Sequence, residues 1–179
     1  IVGPRFRKVK ALIQGPLALY SAHLPLDAHP EVGNCAILAR AVGIPADVRF
    51  GEYRGQALGW QGAVDQDLQT FAAGVEAAVG GPVRVIPRGP DAETRAAGAV
   101  AVVTGAAASM LEEAARSGVD TLLTGEAPHH AYHEARELGV NLVLAGHYAT
   151  EVWGVRALAE KVRELHGLEW VFIDVPTGF

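Results

Sequence analysis

The chain has 179 residues, half of them apolar and 20 % charged, with a formal net charge of −5. That length suits one compact domain or two small lobes sharing a core. An acidic balance argues against a nucleic-acid face, which needs clustered Lys and Arg. Arg5, Arg7, Lys8 and Lys10 do cluster, but on a helix-like stretch, and read as a solvated face. The single cysteine, Cys35, precludes an internal disulfide and fits a reducing, cytoplasmic compartment. No apolar run is long enough to span a membrane. The first residue is Ile rather than Met, so further residues upstream of Ile1 are expected.

In chain order, Arg5–Gln14 has helical spacing, with Phe6, Val9, Leu12 and Ile13 on one side. Gly15-Pro16 stops it. Leu17–Ala22 is an apolar run of strand length that opens into the polar stretch His23–Gly33. Gly33–Val42 reads as a helix closed by Gly43. Val48–Phe50 and Ala57–Trp60 read as short antiparallel strands around a Gly-rich turn. Asp65–Val79 reads as a helix with Leu68, Phe71, Val75 and Val79 inward. Val83–Ile86 is a strand and Pro87–Glu93 a loop.

The pattern then becomes regular. Strands are expected at Ala99–Val103, Thr121–Leu123, Leu142–Ala145 and Trp170–Ile173. Helices are expected at Ala107–Ser117, Pro128–Leu138 and Thr150–His166, the last with Thr150 as its cap. Strands alternating with helices imply an α/β fold with a largely parallel or mixed sheet covered by helices on both faces.

Ligands in such sheets bind beyond the carboxyl ends of the strands. Three strand ends carry imidazole and carboxylate groups together: His23 to His29 with Asp27 between, Glu126 followed by His129 and His130, and His147 followed by Glu151. This donor chemistry suits Zn²⁺, Mn²⁺ or Fe²⁺. Gly146 lets the backbone turn after the strand, so that His147 and Glu151 can offer a nitrogen and an oxygen to one ion. The bland alternative is a strand–helix turn with a capping Thr. Asp27 can bridge ions or simply make a turn in its loop. His129 and His133, four apart, have a spacing that can chelate zinc. There is no Gly-x-Ser-x-Gly elbow, and Cys35 has no evident base beside it, which argues against a Ser or Cys nucleophile.

At these residues the sequence resembles a known family. Tyr20-Ser21-Ala22-His23-Leu24-Pro25-Leu26-Asp27-Ala28-His29 with Gly33-Asn34, then Leu123-Thr124-Gly125-Glu126, and finally Ala145-Gly146-His147-Tyr148-Ala149-Thr150-Glu151, resemble the signatures of the Nif-three-like dinuclear metal-centre proteins. These are also known as GTP cyclohydrolase I type 2 homologues. The resemblance implies two interleaved α/β lobes with the metal site in the cleft between them. Residues 1–45 then belong to the first lobe, 46–98 to the middle of the second, and 99–179 complete the shared core. It also implies that Asp27, His147 and Glu151 ligate metal. Family members carry a His-His pair, upstream of the position of Ile1, that supplies the remaining ligands. Two divalent ions per full-length chain are therefore expected, and fewer or none on these residues alone. Cys35 stands where the family usually has a second Asn.

The function expected is a metal-dependent hydrolase, GTP cyclohydrolase type 2-like, acting on a nucleotide-like or phosphorylated small molecule through metal-bound water. His23 is the candidate for proton transfer, with Glu126 and His130 behind the ligands or against the substrate. The alternative is a non-catalytic metal-binding or scaffold protein. The partners expected are a small-molecule substrate and further copies of the chain, a hexamer by resemblance, with no nucleic acid and no membrane.

Overall fold

The computed structural model describes residues 1–92 and 95–178. Glu93, the end of the expected loop Pro87–Glu93, lies outside the described residues. Helix α1 (Gly3–Gln14) carries Pro4 in its first turn, where a missing N–H costs nothing, and ends at Gly15. Two short helices follow, α2 (Leu24–Asp27) and α3 (Asn34–Ala41). Strands β1 (Val48–Tyr53) and β2 (Gln56–Asp67) form a hairpin around Arg54-Gly55, both of which have positive φ. That is the turn geometry matching strand twist. Helix α4 (Leu68–Val79) is capped by Asp67, whose Oδ1 accepts from the Thr70 N–H at 2.8 Å.

Strands β3 (Arg84–Ile86) and β4 (Ala96–Val102) lead to a 3₁₀ turn at Ala108–Met110 and α5 (Leu111–Arg116). Then come β5 (Thr121–Thr124), α6 (Ala131–Glu137), β6 (Asn141–Leu144) and α7 (His147–His166).

The strands form one six-stranded sheet in the order β1-β2-β4-β5-β6-β3. The fold is α/β, as the alternation implies, and the sheet is mixed. Only β4–β5 and β5–β6 run parallel; β1–β2, β2–β4 and β3–β6 are antiparallel. All four residues of β5 are buried. Since successive side chains of a strand point to opposite faces, the centre of the sheet is covered on both sides. Val100, Val102, Leu122, Leu123, Leu142 and Val143 make up that centre.

Two expected strands are absent. Residues 17–22 and 170–173 have no regular structure, and Leu19, Tyr20, Val171 and Ile173 are exposed. Both are apolar runs of strand length, but a strand needs a ladder to pair with, and neither has one among the described residues. Several boundaries also move: β4 starts at Ala96, the helix expected from Ala107 is a 3₁₀ turn until Leu111, and the one expected from Pro128 starts at Ala131. The strand around Trp60 runs on to Asp67, so the helix expected from Asp65 starts at Leu68. The last helix starts at His147, not Thr150.

Candidate metal centre

The carboxyl ends of β4, β5 and β6 lie side by side and are tied by a backbone network. The Gly105 carbonyl accepts from the N–H groups of Gly125 (2.8 Å) and Glu126 (3.0 Å), and Gly125 in turn accepts from Gly146 (2.9 Å). Thr124 Oγ1 donates to the Gly105 carbonyl (2.9 Å) and accepts from the Ala107 N–H (3.1 Å). Thr150 Oγ1 accepts from the Gly105 N–H at 3.1 Å. This network fixes the loop 103–107, residues 125–126 and the start of α7 against one another.

His147 is the first residue of α7, so His147 and Glu151 are i, i+4 neighbours on one helix face rather than two sides of a strand–helix bend. Thr150 is buried inside the first turn, donating to the Gly146 carbonyl at 2.9 Å. Gly146 caps the helix with φ of 87°, a conformation that favours glycine.

His147 Nδ1 lies 2.9 Å from Glu126 Oε1. A carboxylate only accepts, so Nδ1 carries the hydrogen. The other ring nitrogen, Nε2, faces Glu151 Oε2 at 3.3 Å. Two acceptors do not face each other without something positive between them, so this contact calls for a proton or an ion. The surroundings of both groups push the same way. The hydrogen bond to Glu126 raises the pKa of His147 above its ordinary value, and Glu151 adds to the rise. Burial raises the pKa of Glu151, and the charge of Asp27 raises it further, while His147 and His23 oppose the rise.

Asp27, at the end of α2, is 6 % exposed and accepts from Asn34 Nδ2 at 2.8 Å. It shares a cavity of about 310 Å³ with His23, Cys35, Tyr53, His147 and Glu151. No Lys or Arg lines that cavity. A site holding two carboxylates of like charge and an outward-facing imidazole nitrogen suits a divalent cation by chemistry. The donors line one space without converging on one point: among the described residues, no three His, Cys, Asp or Glu side chains are grouped closely enough to hold an ion as they stand.

The sequence-selected residues therefore sort by position. Asp27, His147 and Glu151 are brought together around the cavity, His23 is exposed at its wall, and Glu126 stands behind His147. His130 is exposed beside α6 and does not line the cavity; His129 and His133 are exposed as well. Cys35 does line it. Its buried thiol donates to or accepts from Thr104 Oγ1 at 3.3 Å, and burial pushes its pKa up to about 11. Asn34 is the contributor that sequence reasoning left without a role. Its partner Gly154 is 120 residues away, and no local pattern announces such a contact.

Comparison with known proteins places these observations in a family. A family model described as Duf34/NIF3 (NGG1p interacting factor 3) matches residues 1–178. A protein of Deinococcus radiodurans named "GTP cyclohydrolase 1 type 2 homolog" is 43 % identical over 99 % of this chain and 67 % of its own length. A protein of the same name from Halobacterium salinarum is 45 % identical over 99 % of this chain and 70 % of its own. A crystal structure of a Thermus thermophilus protein superposes with a TM-score of 0.86 at 37 % identity, covering 99 % of this chain and 69 % of that one.

Proposed function

The chain belongs to the Duf34/NIF3 family, and from that membership and the cavity beside His147 we propose that it is a divalent-metal-dependent hydrolase of a nucleotide-like or phosphorylated small molecule. One observation carries the reading. Asp27, His147 and Glu151 line a single cavity, and His147 has its Nδ1 committed to Glu126, so that Nε2, facing Glu151 Oε2, is the ring nitrogen an ion would take. Asp27, His147 and Glu151 would hold the ion, and zinc, manganese and iron(II) all suit that donor set. Bound there, the ion would lower the pKa of a coordinated water and polarise the bond to be cleaved.

The chain's own residues do the rest. Glu126 fixes the tautomer and direction of His147. Glu151 holds its oxygen toward Nε2. His23, exposed at the cavity wall, is positioned to exchange a proton between substrate and solvent. The nucleotide-like substrate class is favoured by the name "GTP cyclohydrolase 1 type 2 homolog" borne by its relatives.

A second reading, a non-catalytic metal-binding or scaffold protein built as a homo-oligomer, draws on a different observation. Leu17, Leu19, Tyr20, Val171, Ile173 and Val175 are all exposed, apolar side chains on two segments that association would cover. One assay separates the two readings. Nucleotides and phosphoesters are incubated with the Mn²⁺- or Zn²⁺-loaded full-length protein and with His147→Ala. Turnover abolished by His147→Ala supports the hydrolase. Metal uptake without turnover supports the scaffold, and turnover undiminished in His147→Ala rejects the proposed site.

A further inference from the structure

Asn34 opens α3 and is 5 % exposed. Its side chain makes two contacts of opposite sense. Nδ2 donates to Asp27 Oδ1 at 2.8 Å, and Oδ1 accepts from the Gly154 N–H at 2.6 Å. Both partners dictate the same amide orientation, because a carboxylate only accepts and a backbone N–H only donates. Of the two neighbours, Asp27 closes α2 while Gly154 lies in α7, three residues beyond Glu151. The approach is close: a Cβ at Gly154 would sit 3.0 Å from Asn34 Oδ1 and 3.1 Å from its Cγ. Helices α3 and α7 pack directly on each other around this point.

We infer that Asn34 is a positioning residue that sets the Asp27 carboxylate at a fixed distance from the helix carrying His147 and Glu151. The inference rests on the metal reading above and adds the element that makes the three donors one unit. Asp27 reaches the cavity from the amino-terminal part of the chain, whereas His147 and Glu151 come from its carboxyl-terminal helix. A single amide bridges the two parts. Asp in its place would lose the donor to Asp27, and Ala would lose both contacts. Ordering the donors before the ion arrives spares the ion that cost on binding, and residues that orient ligands are worth about 10- to 100-fold in metal affinity.

The test compares Mn²⁺ and Zn²⁺ affinity by calorimetry in the full-length, amino-terminally extended protein as the wild type and in its Asn34→Ala, Gly154→Ala and Val75→Ala variants. Gly154→Ala leaves the amide in place but crowds it and the Asn34 backbone nitrogen, 3.1 Å from the added Cβ, and so perturbs the same contact by a second, independent change. Val75, fully buried in α4 and absent from the cavity lining, provides a control for destabilisation alone. The expected result is affinity lowered about 10- to 100-fold in Asn34→Ala and lowered in Gly154→Ala, with Val75→Ala at the wild-type value. The absorption spectrum of bound Co²⁺ should change in both site variants and not in the control. Wild-type affinity and an unchanged Co²⁺ spectrum in both site variants would overturn this inference alone. A loss of affinity in Val75→Ala equal to that of Asn34→Ala at matched metal-free thermal midpoints would also overturn it. No ion uptake by the wild type would overturn the metal reading and this inference together.

Discussion

Glu126 Oε1 sits 2.9 Å from Nδ1 of His147, on the far side of the ring from the nitrogen that faces Glu151. The pairing gives the imidazole one direction and one tautomer. Glu126→Ala should leave the fold intact, since Glu126 is partly exposed, but should weaken Zn²⁺ or Mn²⁺ binding about 10- to 100-fold. Glu126→Gln, which can still accept at its carbonyl oxygen, should fall between. Metal titration checks both. Wild-type affinity in Glu126→Ala would mean that His147 needs no support from behind.

The upward shifts of His147 and Glu151 have a definite sign for stability. Each group holds its proton more tightly folded than unfolded. The contribution of His147 is therefore fully present below its unfolded value of 6.5 and is lost as pH rises through the higher folded value. Glu151 behaves alike, losing its contribution as pH rises above 4.5 through its raised value. The thermal midpoint of the metal-free protein should decline as pH rises above 6.5, and added Mn²⁺, replacing the proton between the two groups, should flatten the decline. A metal-free midpoint that climbs over this range would contradict the assignment.

Gly105 has φ of 70°, and a Cβ there would lie 2.2 Å from Glu151 Oε1. Gly105→Ala should therefore cost about 1–2 kcal/mol in backbone conformation alone. It should also push Glu151 aside and remove metal binding. Chemical denaturation and metal titration of the same variant check the two effects, and a variant with wild-type stability and affinity would show that the loop yields freely.

Cys35 is fully buried, with its thiol pKa pushed up to about 11. The thiolate is the reactive form. The native protein at neutral pH should therefore leave an aromatic disulfide reagent unreduced, and the same sample should release one equivalent of chromophore per chain once unfolded in urea. Prompt reaction of the native protein would place the thiol in solvent.

Much of this architecture could be read from residues alone, and the failures have physical causes. The alternation from Ala96 to His166 was legible because central strands are short apolar runs bounded by glycine turns. The start of α7 was not: its cap is Gly146 in a positive-φ conformation, with no capping side chain, while Thr150, which resembles a cap, spends its hydroxyl on carbonyls within the first turn. The extension of β2 was hidden because Asp65, Gln66 and Asp67 give a polar stretch with no strand alternation, next to a shift of register after Val64. The runs 17–22 and 170–173 have strand composition but no partner among the described residues. Of the site, His147 and Glu151 could be selected from residue type and position after a strand, whereas Asp27 was selected by residue type beside a run, 17–22, that forms no strand, and it closes helix α2 instead. The roles of Asn34 and Gly105 depend on contacts made only by the folded chain.

The central claim is that Asp27, His147 and Glu151 hold a divalent ion, and elemental analysis of metal per chain tests it most directly. The measurement uses this chain, an amino-terminally extended form, and Asp27→Ala, His147→Ala and Glu151→Ala in the extended form. The expected result is bound zinc, manganese or iron in the extended form, fewer ions or none in this chain, and a loss of metal in each variant. No metal in the extended form, or undiminished metal in all three variants, would contradict it.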